Sequence, residues 1–407
     1  MKAKLLLSIT LVILLVGITF GAGVIKVGVL YPYNSETGNW IKNSVQMAAD
    51  EINANGGILG SKIQLYFADV SGGAGQMISS IQQLVTLNHV DLLIGGVDSG
   101  SVLASLPFMA KYKILWLGTG GADISVSNAV KEHFDTYKYY FAVGTLNSVN
   151  QGTAIADFIV NYVKPKYNFT KFAIISNDLV YAHTISETAA KICQENGMQL
   201  VYSDYFPTGT SNFSGLFSKA VANGAQIIID SIVTSDGIPF DKQWYTLKVS
   251  AVLIGANAMA LDQGFYTQTG GQCLYVTDMY PNGGPAPLTK NTLDFVNKYY
   301  ELWGSYPGFI AFPSYNALYV LKAAAESVNS LDTDTLINAI QKVEFTLGGD
   351  NGVTPEAFTE YHDLKYGGNY AVGPIFQWQP GGKYVCVWPE KYATGEWMLP
   401  DWINPAK

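Results

Sequence analysis

Short apolar runs alternate along this chain with stretches in which apolar residues return every third or fourth position. The first pattern reads as buried parallel strands, the second as helices that cross between them. Residues 24–30 predict a strand. Residues 40–53 predict a helix with Ile41, Val45, Ala48, Ala49 and Ile52 on one face, stopped by Asn55-Gly56-Gly57. A strand over 63–68 and an amphipathic helix over 76–87 follow. Residues 90–127 organise the rest: an apolar run (90–95), a small polar loop (96–101), an apolar helical segment (102–112), a second run (114–117) and a second polar loop (118–122). The order is β-α-β-α-β-α-β, a doubly wound unit. The pattern restarts near 139–152, with helices over 153–163, 182–196 and 213–223 and strands at 172–176, 200–206, 227–232, 252–255 and 274–279. Helices over 289–303, 312–329 and 333–343 come without a strand between them and fit packing onto one of the sheets. Residues 371–379 and 383–388 predict a hairpin around Pro380-Gly381-Gly382. The tail from 392, with Trp397 and Trp402, predicts an extended strap. The fold class expected is α/β, with two doubly wound parallel-sheet lobes and a cleft between them.

In open α/β sheets a ligand binds outside the carboxyl ends of the strands, and both polar loops of 90–127 sit at such ends. Ser99 and Ser101 offer hydroxyls at a helix start, where free N–H groups favour an anion. Gly118, Gly120 and Gly121 would let a ligand approach the backbone. Gly100 and Ala122 complete these loops, which read as half of a small-molecule site. Tyr31, Tyr33 and Trp40 either stack on a solute or pack at the lobe surface. Asp98-Ser99-Gly100-Ser101 spells the sequence around an aspartic-protease carboxylate, but that chemistry needs two such acids and no second copy occurs. Asp98 therefore reads as a loop or helix-cap carboxylate. Gly118-Thr119-Gly120-Gly121 lacks the third glycine and the basic residue of a dinucleotide loop. No G-x-S-x-G, H-E-x-x-H or G-K-[ST] occurs, so an enzyme is not expected.

Composition narrows this further. The 407 residues carry a formal charge of -8, and all 24 basic residues are Lys. Nucleic acid is excluded as a partner for want of a basic footprint, and no Arg clamp can hold an anion. Lys2 and Lys4, the apolar run 5–20 and the small residues Gly21, Ala22 and Gly23 read as a secretory signal peptide over 1–23, placing the chain outside the cytoplasmic membrane. Membrane association through an uncleaved N-terminus is the alternative. Cys193, Cys273 and Cys386 form no disulfide framework and read as small buried apolar residues. The four His are scattered, so neither metal nor cofactor is expected. Asn168 and Asn212 open glycosylation sequons.

Several stretches resemble the type I periplasmic solute-binding proteins of ABC importers, in the branched-chain amino-acid and amide-binding group. They are IKVGVLYPYNSETG, AADEINANGGILGSKIQL, VDLLIGGVDSGS, VGTLNSVNQG and GFIAFPSYNALYVLKAA, with EKYATGEWMLPDW resembling the amide-type branch. The resemblance implies a clamshell with three crossings, one lobe from 24–143 and 279–344 and the other from 144–278 and 345–407. It implies that a small solute binds between the lobes and passes to an importer permease. Ser99 matches the family's carboxylate-binding Ser, Gly120 its backbone contact and Tyr181 a cleft-facing aromatic. Ala122 stands where Thr is usual. The family's acidic partner for an ammonium group falls near Asn257, which has no charge, so Asp236, Asp178 or Asp123 would have to substitute. The family's first-lobe disulfide positions fall near Ser71 and Asp98, so that bridge is absent. These departures give weight to a neutral solute such as an amide, sugar or polyol. A sensor of the same fold is a further alternative.

Overall fold

The computed structural model describes residues 23–404; the expected signal segment, Gly23 apart, lies outside them. Strands β1 (Val24–Tyr31), β2 (Lys62–Asp69), β3 (Leu92–Gly95), β4 (Leu115–Gly118) and β5 (Tyr140–Ala142) form a wholly parallel sheet in the order β2-β1-β3-β4-β5. Strands β6 (Lys171–Asn177), β7 (Gln199–Phe206), β8 (Ile227–Ile232), β9 (Val252–Asn257) and β10 (Thr277–Met279) repeat that order as β7-β6-β8-β9-β10. A small pair, β11 (Glu344–Phe345) with β12 (Glu356–Ala357), stands apart. The hairpin of β13 (Ile375–Gln379) and β14 (Lys383–Trp388) then adds antiparallel to β10, completing seven strands. Helices cover both faces of each sheet, so its central strands are buried along their length. Every residue of β3, β4, β8 and β9 is buried, which is why these segments read as unbroken apolar runs.

Capping sets where the helices begin. Ser35 accepts the N–H of Gly38 and starts the first helix at Glu36–Ala54, four residues earlier than apolar spacing predicts. Asp98 does the same for Ser99–Tyr112, accepting the N–H of Ser101 at 2.7 Å. Two helices of nine or ten residues escape the periodicity altogether. Ile124–Glu132, capped by Asp123, buries only Val126 and Val130, and Gly237–Thr246 opens on Gly and Pro. The strand expected over 274–279 shortens to β10. The described chain crosses between the sheets three times: after β5, after β10, and between β12 and β13. After the second crossing, helix Ala311–Val328 packs on Glu36–Ala54, and Phe345, Val353 and Phe358 join the same core. Among the described residues the tail has no regular structure beyond Tyr392; Trp397 packs on Phe158 and Trp402 on Trp244. All three cysteines are free and buried, and burial pushes each thiol up to about 12, so they behave as the small apolar residues expected.

The second core holds a cost that its sequence conceals. Asp230 of β8, Asp278 of β10 and Asp241 of helix Gly237–Thr246 are all buried. The Asn257 backbone N–H donates to Asp278 Oδ1 at 2.9 Å and its Nδ2 to Asp241 Oδ2 at 2.8 Å, while neither Asp230 carboxyl oxygen has a partner. Burial pushes Asp278 up to about 7; burial, then the neighbouring carboxylates, pushes Asp230 and Asp241 well above the usual range. A carboxyl raised on folding stabilises the native state below its unfolded pKa and loses that contribution as pH rises through the folded value. For Asp278 the window is about pH 4 to 7, and each bound proton gives a slope of roughly 1.4 kcal/mol per pH unit. Urea melts should therefore show the wild type losing stability across this window relative to Asp278→Asn. Parallel curves would mean that Asp278 titrates alike in both states.

Candidate functional site

A cavity of about 620 Å³ lies where the carboxyl ends of the two sheets face each other. The repeated strand order puts a topological switch point in each sheet, and the cavity sits between the two. The first sheet supplies the polar wall: Asp98, Ser99 and Gly100 after β3, and Gly120, Ala122 and Asp123 after β4. The second sheet supplies a largely apolar wall: Leu179, Val180 and Tyr181 after β6, Val233 after β8, and Met279 with Pro281 at the end of β10. Phe309 and Ile310, from the second crossing, also line it.

The two loops of the polar wall are joined to each other. Ser99 Oγ accepts the N–H of Asp123 at 3.1 Å, and the Gly121 N–H donates to the Val97 carbonyl at 2.9 Å. A Cβ on Gly120 would lie 2.5 Å from the Gly96 carbonyl oxygen, and one on Gly118 would lie 2.2 Å from the Tyr140 hydroxyl. These glycines are therefore needed so that loop and core can close on each other, whatever approaches the backbone from the cavity. Because Ser99 Oγ already accepts, its own proton is left to donate into the cavity. Asp123 Oδ1 accepts the N–H of Ser125 at 2.8 Å and caps helix Ile124–Glu132. Across the cavity, the Tyr181 hydroxyl accepts from Gln151 Nε2, which also donates to the Leu146 carbonyl. Burial pushes the Tyr181 phenol well above its ordinary range, so it stays a neutral donor. The cavity thus offers the Ser99 hydroxyl and the acids Asp98 and Asp123 on one wall, and mainly aliphatic surface with the Tyr181 hydroxyl on the other. That combination suits a small amphipathic molecule.

Of the residues singled out from sequence, Ser99, Gly100, Gly120, Gly121, Ala122 and Tyr181 line the cavity. Four do not. Ser101 is buried in the first turn of its helix, its carbonyl accepting from Ser105 Oγ. Tyr33 is 56% exposed and meets Tyr31 edge-on. Asp236 is 5% exposed and fully engaged with its own lobe. It accepts from the Gly209 N–H, Thr234 Oγ1 and Asn177 Nδ2, tying together the loops after β6, β7 and β8. Asn257 is buried and spent on Asp278 and Asp241. Asp178 lies exposed beside His183. Trp40 is buried edge-on to Phe309, and Phe312 is core. Sequence reasoning missed Ser125, Thr145, Gln151 and most of the apolar wall. Gln151 lay inside the VGTLNSVNQG stretch, but loop-tip residues carry no periodicity that says which way they face.

Comparison with known proteins gives the family and the fold. The family model described as periplasmic binding protein matches residues 24–372. The Leu/Ile/Val-binding protein homolog 7 of Brucella suis is 24% identical over 413 residues, covering 98% of this chain and 99% of that one. A Silicibacter pomeroyi structure, described as a branched-chain amino acid ABC transporter, superposes with a TM-score of 0.83 at 20% identity, covering 93% of this chain and all (100%) of that one. A solute-binding protein of an R. palustris ABC transporter, solved in complex with benzoate, gives a TM-score of 0.70 at 15% identity and covers 94% of this chain and 99% of that one.

The position of Asp236 makes a direct test. Asp236→Ala strands the Gly209 N–H, the Thr234 hydroxyl and the Asn177 amide, and should lower stability by about 1–3 kcal/mol in urea melts. A carboxylate that served only the cavity would leave the melt unchanged.

Proposed function

The chain belongs to the periplasmic binding protein family, and from that premise we propose that it captures a small amphipathic solute, amino-acid or amide-like, between its two sheets. It holds the solute outside the cytoplasmic membrane and delivers it to the permease of an ABC importer. The observation that carries this reading is the two-sided cavity, with a donor-bearing wall from one sheet and an aliphatic wall from the other. A site divided between two bodies binds best when they close, so the solute would shift the protein toward a closed form. The bodies we assign are 24–143 with 279–344, and 144–278 with the C-terminal hairpin. We add residues 345–364 to the first body, since Phe345, Val353 and Phe358 share its core. The three crossings then act as the hinge. The reading is of binding without turnover: none of the four His lines the cavity, so no hydroxyl there has an imidazole base.

Calorimetric titration of refolded, solute-free protein tests this, with branched-chain amino acids, short amides, urea and simple sugars as the panel. One-site saturable binding, with solute recovered intact after long incubation, is the expected outcome; turnover would sink the reading. Ser99→Ala should weaken binding by about 1 kcal/mol, or roughly fivefold. Unchanged affinity would remove Ser99 from the site.

A further inference from the structure

The three acids buried in the second lobe meet directly behind the second wall of the cavity. Strand β9 runs between β8 and β10, and its Gly255 pairs with Asp230 on one side and Asp278 on the other. Residues in register across a parallel sheet point to the same face, so the two carboxyls flank a position that has no side chain. A Cβ on Gly255 would lie 2.3 Å from Asp230 Oδ1, so Asp230 leans into the space the glycine leaves. Asn257, two residues along β9 and so on that same face, donates Nδ2 to Asp241 Oδ2 at 2.8 Å, which brings in the third acid. Four of the six carboxyl oxygens have no hydrogen-bond partner among the described residues: both of Asp230, Oδ1 of Asp241 and Oδ2 of Asp278. The charges acting on Asp230 and Asp241 are those of the other acids, and no Lys or His is among them. The other titratable groups that feel the cluster are the Cys273 thiol and the Tyr384 phenol, and burial above all pushes both up, so both stay neutral. Carboxylates crowded out of water without a counter-charge are costly, so acids placed like this keep protons between them.

The strands that carry these acids end in the wall. Val233 follows β8, Ala256 and Ala258 flank Asn257, and Met279 follows Asp278; all four line the cavity. Asn257 is the link. Its backbone N–H donates to Asp278 Oδ1 at 2.9 Å, and its Oδ1 accepts the N–H of Met259 at 3.0 Å, fixing the turn Ala258–Leu261.

We propose that protons shared by Asp230, Asp241 and Asp278 latch the second wall of the cavity, and that the wall loosens from behind when they leave. A protonated carboxyl donates as well as accepts, so with protons aboard β8, β9, β10 and the covering helix hold together. Once a second acid is charged, repulsion across Gly255 parts β8 from β10 and strains the Asn257 bonds. Ala258 and Met279 then lose their places, while the loops after β3 and β4 keep theirs. The wall is therefore complete at low pH and loosens as pH rises.

Two measurements test this on the protein without added solute, so the result is independent of the solute-binding reading. Burial pushes Asp278 up to about 7, and the protein is compared about one pH unit below and above that value. Below it, infrared difference spectra should show the C=O stretch of a protonated carboxylic acid, weakened above it and reduced in Asp278→Asn. Hydrogen exchange read by mass spectrometry then compares wild type with Asp278→Asn at each pH, which cancels the intrinsic rates. Asn stands for the protonated acid, being neutral with both a donor and an acceptor. Below the titration the two proteins should agree. Above it, segments 230–234, 255–261 and 277–281 of the wild type should exchange faster, by up to about tenfold per pH unit for each proton lost. Strand β6 and the loop 118–123 should keep pace with the variant. Asp230→Asn, on the far side of Gly255, should behave like Asp278→Asn and guards against a fault peculiar to one variant. Three results would overturn the latch. One is no acid band that the variants reduce, and another is parallel exchange in all three proteins. The third is acceleration spread equally into β6, the mark of a lobe losing stability as a whole.

Discussion

Hydrogen bonds on either side of the first crossing, residues 143–151, hold the two halves in register. On the first-sheet side, Ser148 donates its backbone N–H to the Ala122 carbonyl at 2.8 Å, and its Oγ accepts the N–H of Ile124 at 3.1 Å. Thr145, at a φ of 52°, donates its hydroxyl to the Thr119 carbonyl. On the second-sheet side, Gln151 reaches the Tyr181 hydroxyl. Asn147 caps the helix that follows and donates Nδ2 to Asp363 Oδ2 at 2.7 Å, tying the first crossing to the third. The polar wall of the cavity therefore hangs on the strand of chain that leaves it.

The cavity gains its amphipathic character from a division of labour between two sheets of the same order. In the first sheet the loops after β3 and β4 are spent on each other and on helix caps, which fixes Ser99 and Asp123 side by side. In the second, the polar groups near the carboxyl ends turn inward. Asp236 knots the loops together, and Asn257 joins the buried Asp241 and Asp278. That inward turn leaves Leu179, Val180, Val233 and Met279 to face the cavity. The acids of the second sheet are consumed by the fold, and the available acid is on the first.

Much of this was legible in advance. Most strands and most helices follow from runs and periodicities set by near neighbours, and parallel burial makes those runs continuous; β5, β11 and β12, of two or three residues each, are too short to show a pattern. The two loops of the polar wall followed as well, since they stand at strand ends beside small residues. The errors cluster where a side chain's partner is far away in sequence. Asp236 finds Gly209 and Asn177, Trp40 finds Phe309, and Tyr140 comes against Gly118. Helices Ile124–Glu132 and Gly237–Thr246 were missed because their start lies in a cap or a glycine, with too few apolar positions to show a period.

By itself, then, the sequence determined the α/β class, two doubly wound units, their resemblance to a solute-binding family, and the loops at the ends of β3 and β4 that line the cavity. These depend on local pattern: which residues are apolar, how they are spaced, and where glycine and capping residues interrupt them. Tertiary structure alone decided which acid faces the cavity. Asp123, Asp236 and the buried Asp230, Asp241 and Asp278 are the same chemical group at similar places near strand ends or helix starts. What separates them is the set of N–H and O–H donors that distant chain segments bring to each, and no local pattern carries that information.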